Sequence, residues 1–282
     1  MSGPGYEFVK GHGTENDFVL LPDPDGSVHG ELSVDRVRAL CDRHAGIGAD
    51  GVLRVVRTAA YPGADRPASA AEWFMDYRNA DGSRAEMCGN GTRVFAEYLS
   101  RAGLADPDGL TVATRAGDRS LHRNGAGEWT VDLGRPGFTG WSQIEVTSSD
   151  RTWRARGIDL GNPHAVVFLD ACLGALDLTS APGHDPAAYP NGVNVEFVER
   201  AGEGRLRMRV HERGVGETRS CGTGVGAAAL AAMEADGAGG AGGAATYLVE
   251  VPGGRLGVTW TDEDRVLLAG PAALVATGHT DL

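Results

Sequence analysis

Lysine is nearly absent from this chain, because Lys10 is the only one among its 282 residues. An enzyme that uses pyridoxal phosphate holds this cofactor on a lysine through a Schiff base, so only Lys10 could serve here. Arginine carries almost all of the positive charge instead. We therefore expect any amino-acid chemistry of this protein to proceed without pyridoxal phosphate.

Clustered positive charge is also missing, and the formal net charge is −12. Nucleic acids and anionic membrane surfaces are bound chiefly through clusters of lysine and arginine, so we expect neither partner. The chain lacks an apolar run of membrane-spanning length, and its first ten residues lack the basic and apolar regions of a signal peptide. We expect a cytoplasmic protein.

Cysteine is sparse, and its spacing shows no CxxC pair. The four cysteines (Cys41, Cys88, Cys172 and Cys221) are too few to predict a disulfide framework, so we expect thiols in a reducing compartment. We interpret Cys41 and Cys172 as small buried hydrophobic residues. The length and the 41% hydrophobic content fit one large domain or two of about 130 residues.

The periodicity of apolar residues predicts many strands and few helices. Predicted strands cover residues 6–10, 17–21, 52–57, 73–78, 130–133, 165–169, 193–198, 206–211, 246–251 and 266–268. Predicted helices cover residues 33–44, with Ser33 as the N-cap, 92–101 and 224–235. Because glycine loses the most backbone freedom on ordering, we expect the Gly-Ala run 236–245 to be a mobile surface loop.

An internal repeat relates residues 73–97 to residues 206–230, with an offset of 133 that places Cys88 on Cys221. In both copies an alternating strand leads through a turn into Cys-Gly-x-Gly and then into a helix. A repeat in the same structural context predicts two similar α/β halves that divide near residues 133–137, with a site in the cleft between them.

Each cysteine of the repeat precedes a helix, where unpaired N–H groups and the helix dipole favour the thiolate form. The motif glycines let a carboxylate approach these N–H groups; they are Gly89, Gly91, Gly222 and Gly224. Two thiols on opposite faces of one α-carbon could invert it, because one removes a proton while the other delivers one. The pattern predicts a racemase or epimerase that needs no cofactor and no metal.

Six segments carry a resemblance that extends over nearly the whole chain. They are GHGTENDF from Gly11, CDRHAGIGADG from Cys41, YRNADGSRAEMCGNGTRVFAEYL from Tyr77, GNPHAVVF from Gly161, NGVNVEF from Asn191 and HERGVGETRSCGTG from His211. With these segments the chain closely resembles the diaminopimelate epimerase family of pyridoxal-independent, two-cysteine racemases and epimerases. The resemblance implies an α/β fold of mixed sheets with two pseudo-symmetric domains, each a curved sheet wrapped around a central helix.

The same resemblance assigns the halves and an activity. Residues 1–133, joined by about 272–282, would carry Cys88, and residues 134–271 would carry Cys221. The family converts L,L-diaminopimelate reversibly to the meso isomer on the route to lysine and peptidoglycan precursors. We accordingly expect a homodimeric isomerase with a small-molecule substrate.

The motifs of the family also imply roles for individual residues. Cys88 and Cys221 match the catalytic pair, and His164 and Glu212 match groups close to the thiols. Side chains that match substrate contacts are Asn16, Asn79, Asn162, Asn194, Glu212 and Arg213, and matching backbone contacts are Gly89, Asn90, Gly222 and Thr223. We expect Arg213 to clamp the distal carboxylate with paired hydrogen bonds.

Two positions depart from the family pattern, and three other functions stay open. Glu15 stands where many relatives have glycine, and Gly51 stands where some have a glutamine that contacts the substrate.

A proline or hydroxyproline racemase would use the same thiol pair. A non-catalytic amino-acid-binding module would use only the glycine turns, and a redox protein would join Cys88 to Cys221 in a regulatory disulfide.

Overall fold

The structure is a computed structural model that describes residues 5–140, 144–148, 151–170 and 173–282. Cys172, predicted to be a buried hydrophobic residue, lies outside the described residues. The chain folds into two compact units. The first is Met1–Val131 with Pro271–Leu282, and the second is Asp132–Gly270. Across the described ranges, no helix is both long and apolar enough to cross a membrane.

The first unit consists mainly of strands. Its elements are β1 (Tyr6–Gly13), β2 (Asn16–Pro22), α1 (Val34–Cys41), β3 (Gly51–Arg57), a 3-10 helix (Thr58–Ala60), β4 (Trp73–Asn79), α2 (Gly89–Arg101), β5 (Leu110–Thr114), β6 (Gly117–Arg123) and β7 (Trp129–Gly134), the last of which runs into the second unit.

The second unit also consists mainly of strands, and the strand that follows it along the chain belongs to the first unit. Its elements are β8 (Gly137–Gly140), β9 (Glu145–Ser148), β10 (Arg151–Arg154), β11 (Arg156–Asp159), β12 (Pro163–Phe168), a 3-10 helix (Leu173–Ala175), β13 (Gly183–His184), β14 (Asn194–Arg200), β15 (Arg205–Glu212), β16 (Gly216–Thr218), α3 (Gly222–Ala235), a 3-10 helix (Gly240–Gly242), β17 (Ala245–Val251), β18 (Gly254–Trp260) and β19 (Val266–Gly270); β20 (Ala273–Thr280) follows.

Both units use one strand topology. In the first, the order β20-β1-β2-β3-β4-β5-β6-β7 has parallel pairs only at β2–β3 and β4–β5 among these described neighbours. In the second, the order β8-β11-β12-β14-β15-β17-β18-β19 has parallel pairs at the same two places, β12–β14 and β15–β17. The predicted internal repeat is therefore confirmed in the topology.

Each sheet encloses one helix. Helix α2 packs against strands β1, β2, β3, β5 and β20, and helix α3 packs against all the second-unit strands of the order above except β8. A helix that is apolar on every face is stable in water only when it is enclosed, and the Ala-rich α3 is accordingly buried from Gly222 to Met233. The predicted fold class, with a mixed sheet around a central helix in each half, is confirmed.

The helix starts differ in an informative way from the predicted ones. Helices α2 and α3 begin at Gly89 and Gly222, two or three residues earlier than predicted, because the cysteine itself caps each helix. Ser33 is the N-cap of α1, as predicted, and accepts a hydrogen bond from the Arg36 N–H at 3.3 Å.

The prediction for the Gly-Ala run was wrong in part. Residues Gly240–Gly242 form a turn of 3-10 helix, and Gly239 and Gly240 lie buried against the ring of Trp260. Glycine is needed here because a Cβ on Gly239 would meet the ring at 2.6 Å. The segment is thus packed at its centre and exposed on both sides of it.

Candidate active site

The two repeat cysteines are capping residues with the same geometry. The Cys88 sulfur accepts a hydrogen bond from the Gly91 N–H at 3.4 Å, and the Cys221 sulfur accepts one from the Gly224 N–H at 3.4 Å. Each cysteine carbonyl also accepts the first helical bond. Sulfur therefore replaces the oxygen of an ordinary N-cap residue in both units.

The residues that follow each cysteine form the first turn of its helix. Gly89 and Asn90 begin α2, and Gly222 and Thr223 begin α3; these four predicted binding positions are all buried. The N–H groups at the first helical positions have no carbonyl partner within the helix, and they lie at its positive end. The predicted backbone contacts thus occupy the part of each helix that suits a carboxylate.

Amide side chains surround Cys88. Its thiol donates to Asn16 Oδ1 at 3.6 Å, and Asn90 Nδ2 donates to the same oxygen at 3.2 Å. Asn16 Nδ2 in turn donates to Asp50 Oδ2 at 2.7 Å. Behind Asn90 lies Arg93, whose Nη2 donates to Asn90 Oδ1 at 3.0 Å. The structure brings Asn16 and Asn90, two of the predicted binding residues, together with Cys88 and adds two charged residues.

Carboxylates surround Cys221. Burial, followed by the charges of Glu212 and Glu196, raises the pKa of the Cys221 thiol well above its usual value. Burial likewise raises the pKa of Glu212, whose carboxyl accepts hydrogen bonds from Thr218, at 2.5 Å, and from Cys221. The expectation that the helix start favours a thiolate is wrong for Cys221, since burial and two acidic neighbours outweigh the helix dipole.

A buried pair, His164 and Glu196, connects the surroundings of Cys221 to Asn162, another predicted binding residue. His164 Nδ1 lies 2.7 Å from Glu196 Oε1, and both side chains are fully buried. The other ring nitrogen, His164 Nε2, lies 3.0 Å from Asn162 Oδ1. Glu196 therefore fixes the His164 ring, and the ring fixes the Asn162 amide at the start of β12.

Arg213 and Asn194 meet at the end of the sheet where β12 and β14 begin and β15 ends, next to His164. Asn194 Oδ1 accepts the Arg213 backbone N–H at 2.9 Å, and the Arg213 guanidinium donates to the Asn191 carbonyl at 3.1 Å. Arg213 also lines a cavity of about 320 Å³ within the second unit, together with Asp159 and Tyr189. An exposed guanidinium at the edge of a cavity suits an anionic group.

Asn79 is held in a tight turn. Its Nδ2 donates to Ser83 Oγ at 3.0 Å, and its N–H donates to the Ser83 carbonyl. Its predicted contact with the substrate stays a prediction. Gly51, its partner across β3 and β4, has no room for a side chain, because a Cβ would lie 2.6 Å from the Arg78 carbonyl oxygen.

Three residues of these networks were missed from the sequence: Asp50, Arg93 and Glu196. Glu196 interrupts the apolar predicted strand 193–198, and Arg93 directly precedes the apolar run Val94–Ala96 of the predicted helix. Charged residues are almost never fully buried unless they are paired, so a charge at a predicted core position was the signal available. Asp50 gave no such signal, since it lies in a glycine-rich loop.

The fold is shared with solved structures of two other proteins. A hydroxyproline epimerase from Agrobacterium vitis, with bound trans-4-OH-L-proline, matches with a TM-score of 0.68 and 14% identity over 98% of this chain and 92% of that one. A Bacillus anthracis phenazine biosynthesis protein of the PhzF family matches with a TM-score of 0.70 and 18% identity over 99% of each chain. This chain thus shares its fold with these proteins.

Sequence comparison narrows the class to one family. The family model described as diaminopimelate epimerase matches residues 8–139 and 157–275. The diaminopimelate epimerase of Streptomyces coelicolor is 52% identical over 97% of this chain and 95% of its own length, and that of Thermobifida fusca is 47% identical over 98% of each. The chain belongs to the diaminopimelate epimerase family, which confirms the resemblance found in its sequence motifs.

Proposed function

We propose that this protein is an isomerase that converts L,L-diaminopimelate to meso-diaminopimelate with two thiols and supplies lysine and peptidoglycan synthesis. The observation that carries the proposal is the matched capping geometry of Cys88 and Cys221, each the N-cap of the central helix of its unit. The family relatives, which are named for this reaction, support the choice of substrate.

In the proposed reaction the two cysteines exchange protonation states. The thiolate of one cysteine takes the α-proton and becomes a thiol, and the thiol of the other gives its proton to the opposite face of the carbanion and becomes a thiolate. Charge and protons balance in both directions. The substrate α-carboxylate would accept hydrogen bonds from the backbone of Gly89 and Asn90 and of Gly222 and Thr223, where the enolate-like charge develops.

The two cysteines start in different environments. Because burial, Glu212 and Glu196 raise the pKa of Cys221, this residue is suited to begin as the thiol that delivers the proton. Glu212 accepts the hydrogen bond of that thiol, and we propose that it and His164 adjust the protonation of Cys221. Glu212 thereby has a role beside the reacting sulfur as well as a binding role.

The remaining predicted residues would hold the two zwitterionic ends of the substrate. We propose that Arg213 binds the distal carboxylate, since its guanidinium lines the cavity of the second unit. The amides that would read the ammonium and carboxylate groups are those of Asn16, Asn79, Asn162 and Asn194. Amides suit this task because each both donates and accepts hydrogen bonds.

We further propose a cytoplasmic homodimer that uses no pyridoxal phosphate and no metal, with residues 1–133 and about 272–282 forming the half with Cys88. The one lysine supports the absence of pyridoxal phosphate, because Lys10 Nζ is engaged by Asp17 at 2.6 Å. Size-exclusion chromatography with light scattering would test the dimer. Fractionation of the cells that produce the protein would test its location.

Proton NMR of L,L-diaminopimelate in D2O tests the reaction itself. Wild-type protein should remove the α-proton signal and produce the meso isomer. Cys88→Ala and Cys221→Ala should each abolish both changes, because either thiol alone lacks its partner acid or base. Cys41→Ala is the matched control, since Cys41 lies buried at the end of α1 and burial raises its pKa to about 12.

The alternatives give distinct outcomes in the same experiment. Exchange of proline or hydroxyproline, but not of diaminopimelate, would replace the proposal by a proline-type racemase. Binding without exchange of any amino acid would indicate a binding module. The disulfide of Cys88 with Cys221 stays a prediction; mass spectrometry of oxidant-inactivated protein would detect it.

A further inference from the structure

Arg93 is a fully buried guanidinium in the first turns of α2. It forms no ion pair with any residue that the structure describes, and its Nε has no hydrogen-bond partner there. Its contacts are polar but uncharged, with Nη1 donating to the Gly89 carbonyl at 3.3 Å and Nη2 to Asn90 Oδ1 at 3.0 Å. Burying a cation without a partner costs free energy, so its presence calls for a role.

The charge of Arg93 acts on Cys88. Burial lowers the pKa of Arg93 to about 10, and the electrostatic interaction with Cys88 opposes this change. The interaction is reciprocal, since a nearby cation favours the thiolate form of a cysteine. At Cys221 the charged groups that shift the pKa most, among the described residues, are two carboxylates, Glu212 and Glu196.

A chain of hydrogen bonds runs from Arg93 to Asp50. Arg93 can only donate, so it fixes Asn90 Oδ1 as an acceptor and turns Asn90 Nδ2 toward Asn16 Oδ1. Asp50, when ionised, can only accept, so it fixes Asn16 Nδ2 as a donor from the other end. Both amides are therefore held in one orientation, and Asn16 presents its oxygen to the Cys88 sulfur.

We propose that Arg93 and Asp50 are positioning residues for the Cys88 site. From opposite ends they set the orientation of the Asn90 and Asn16 amides. This orientation in turn determines how readily Cys88 loses its proton. The arrangement also presents an acceptor oxygen to the site, which suits the ammonium group of an amino-acid substrate. This inference rests on the proposed acid–base role of Cys88.

Removal of Arg93 and removal of Asp50 should move the pKa of Cys88 in opposite directions. Arg93→Met removes the cation, so the pKa should rise by about one pH unit. Asp50→Ala removes an anion and frees the Asn16 amide to turn its N–H groups to the sulfur, so the pKa should fall. The other charged groups of this network are Asp17 and Arg43, which contact Asp50, and Glu128, which acts on Arg93.

The test is the pH dependence of iodoacetamide alkylation at Cys88, followed by mass spectrometry of the Cys88 peptide. Arg93→Lys should restore a pKa close to that of the wild type, because lysine keeps the charge and the donors. Arg101→Met is the matched control on the same helix, since Arg101 is 58% exposed and pairs with Glu97. It should leave the profile unchanged.

A wild-type Cys88 profile in folded Arg93→Met, or in Asp50→Ala, would overturn the proposal. Where Arg93→Met fails to fold, Asp50→Ala and Arg93→Lys decide, because a structural role alone predicts no shift from Asp50→Ala. The readout needs no turnover of diaminopimelate. Failure of the proposed reaction would therefore appear in the NMR experiment and not in these profiles.

Discussion

Glu196 lies at a junction between His164 and Cys221. One carboxylate oxygen binds His164, and the other is buried without a hydrogen-bond partner in the described part of the chain. After burial and Glu212, the charge of Glu196 is the next cause that raises the Cys221 pKa. A residue outside the predicted site thus helps to keep this cysteine protonated.

Glu196→Gln should therefore lower the Cys221 pKa, because it removes one of the two anions that oppose the thiolate. The pH profile of alkylation at Cys221 should move to lower pH, and the control Glu203→Gln, in the exposed turn after β14, should leave it unchanged. Epimerase activity should fall, since His164 loses the carboxylate that holds its ring in place. A profile that stays in place would mean that Glu196 has no electrostatic effect on the sulfur.

At the scale of elements, the two capping turns are alike in backbone but differ in the space around their second glycine. A Cβ added at Gly91 would make only ordinary contacts, the nearest at 3.4 Å from the Phe18 ring. A Cβ added at Gly224 would lie 2.6 Å from Glu196 Oε1 and 3.3 Å from the Cys221 sulfur. The capping turn of the first unit thus has room for a side chain at its second glycine, and that of the second unit does not.

Gly224→Ala should displace Glu196 or Cys221 and lower kcat on the order of 10²-fold, the effect of a misplacement of about 1 Å. Gly91→Ala should keep activity and raise the free energy of unfolding by up to about 1 kcal/mol, because alanine is the better helix former. Steady-state kinetics and urea unfolding of both variants test this pair. Equal losses of activity would show that the steric difference does not matter.

Local patterns in the sequence were enough to predict the repeat, the central helices and the Ser33 cap of α1. Several strands of the described residues were missed, β5, β6 and β11 among them. For two others the reason is visible, because glycines break the alternation of β18 and half of β20 is exposed. The expectation of a thiolate failed for Cys221 because burial, then Glu212, then Glu196 raise its pKa. Glu196 comes from another strand, 25 residues away, and no local pattern in the sequence joins the two residues. Helix propensity and dipole are local, whereas burial and neighbouring charge depend on the tertiary fold.

At the scale of the whole molecule, the stability of the first unit depends on a buried ion pair. Arg54 and Asp23 are both fully buried and lie 2.6 Å apart, and Asp23 also accepts the Val28 and His29 N–H groups. The pair connects β3 to the loop after β2. Removal of one partner would leave the other charge buried alone.

Arg54→Met should therefore lower the free energy of unfolding by about 3–5 kcal/mol. Arg57→Met, on the same strand, should cost less than about 1 kcal/mol, because Arg57 pairs with Glu72 at the surface. Adding Asp23→Asn to Arg54→Met should recover part of the loss, since no charge is then left unpaired. Urea denaturation measures all three, and similar losses for Arg54→Met and Arg57→Met would contradict the assignment.

The same loop makes stability depend on pH. His29 is buried against Tyr6 and accepts a hydrogen bond from Arg36 at 2.9 Å; burial, and then the charge of Arg36, lower its pKa to about 4. In the unfolded chain its pKa is about 6.5, so between pH 6.5 and 4 the unfolded state binds more protons. The contribution of neutral His29 is thus complete above pH 6.5 and is lost as the pH falls toward 4.

His29→Phe should make the fall in stability between pH 6.5 and 4 shallower, because phenylalanine keeps the ring packing and takes up no proton. Asp17 does not confound this window, since its pKa is lowered to about 2 by Arg43 and Lys10 against the opposing effect of burial, and its contribution is lost only at lower pH. Urea midpoints at pH 7, 5.5 and 4.5 measure the slope, with the exposed His44→Phe as control. Unfolding of this loop would also separate Asp23 from Arg54. If His29→Phe leaves the slope unchanged, the acid sensitivity of the first unit comes from carboxylates instead of this histidine.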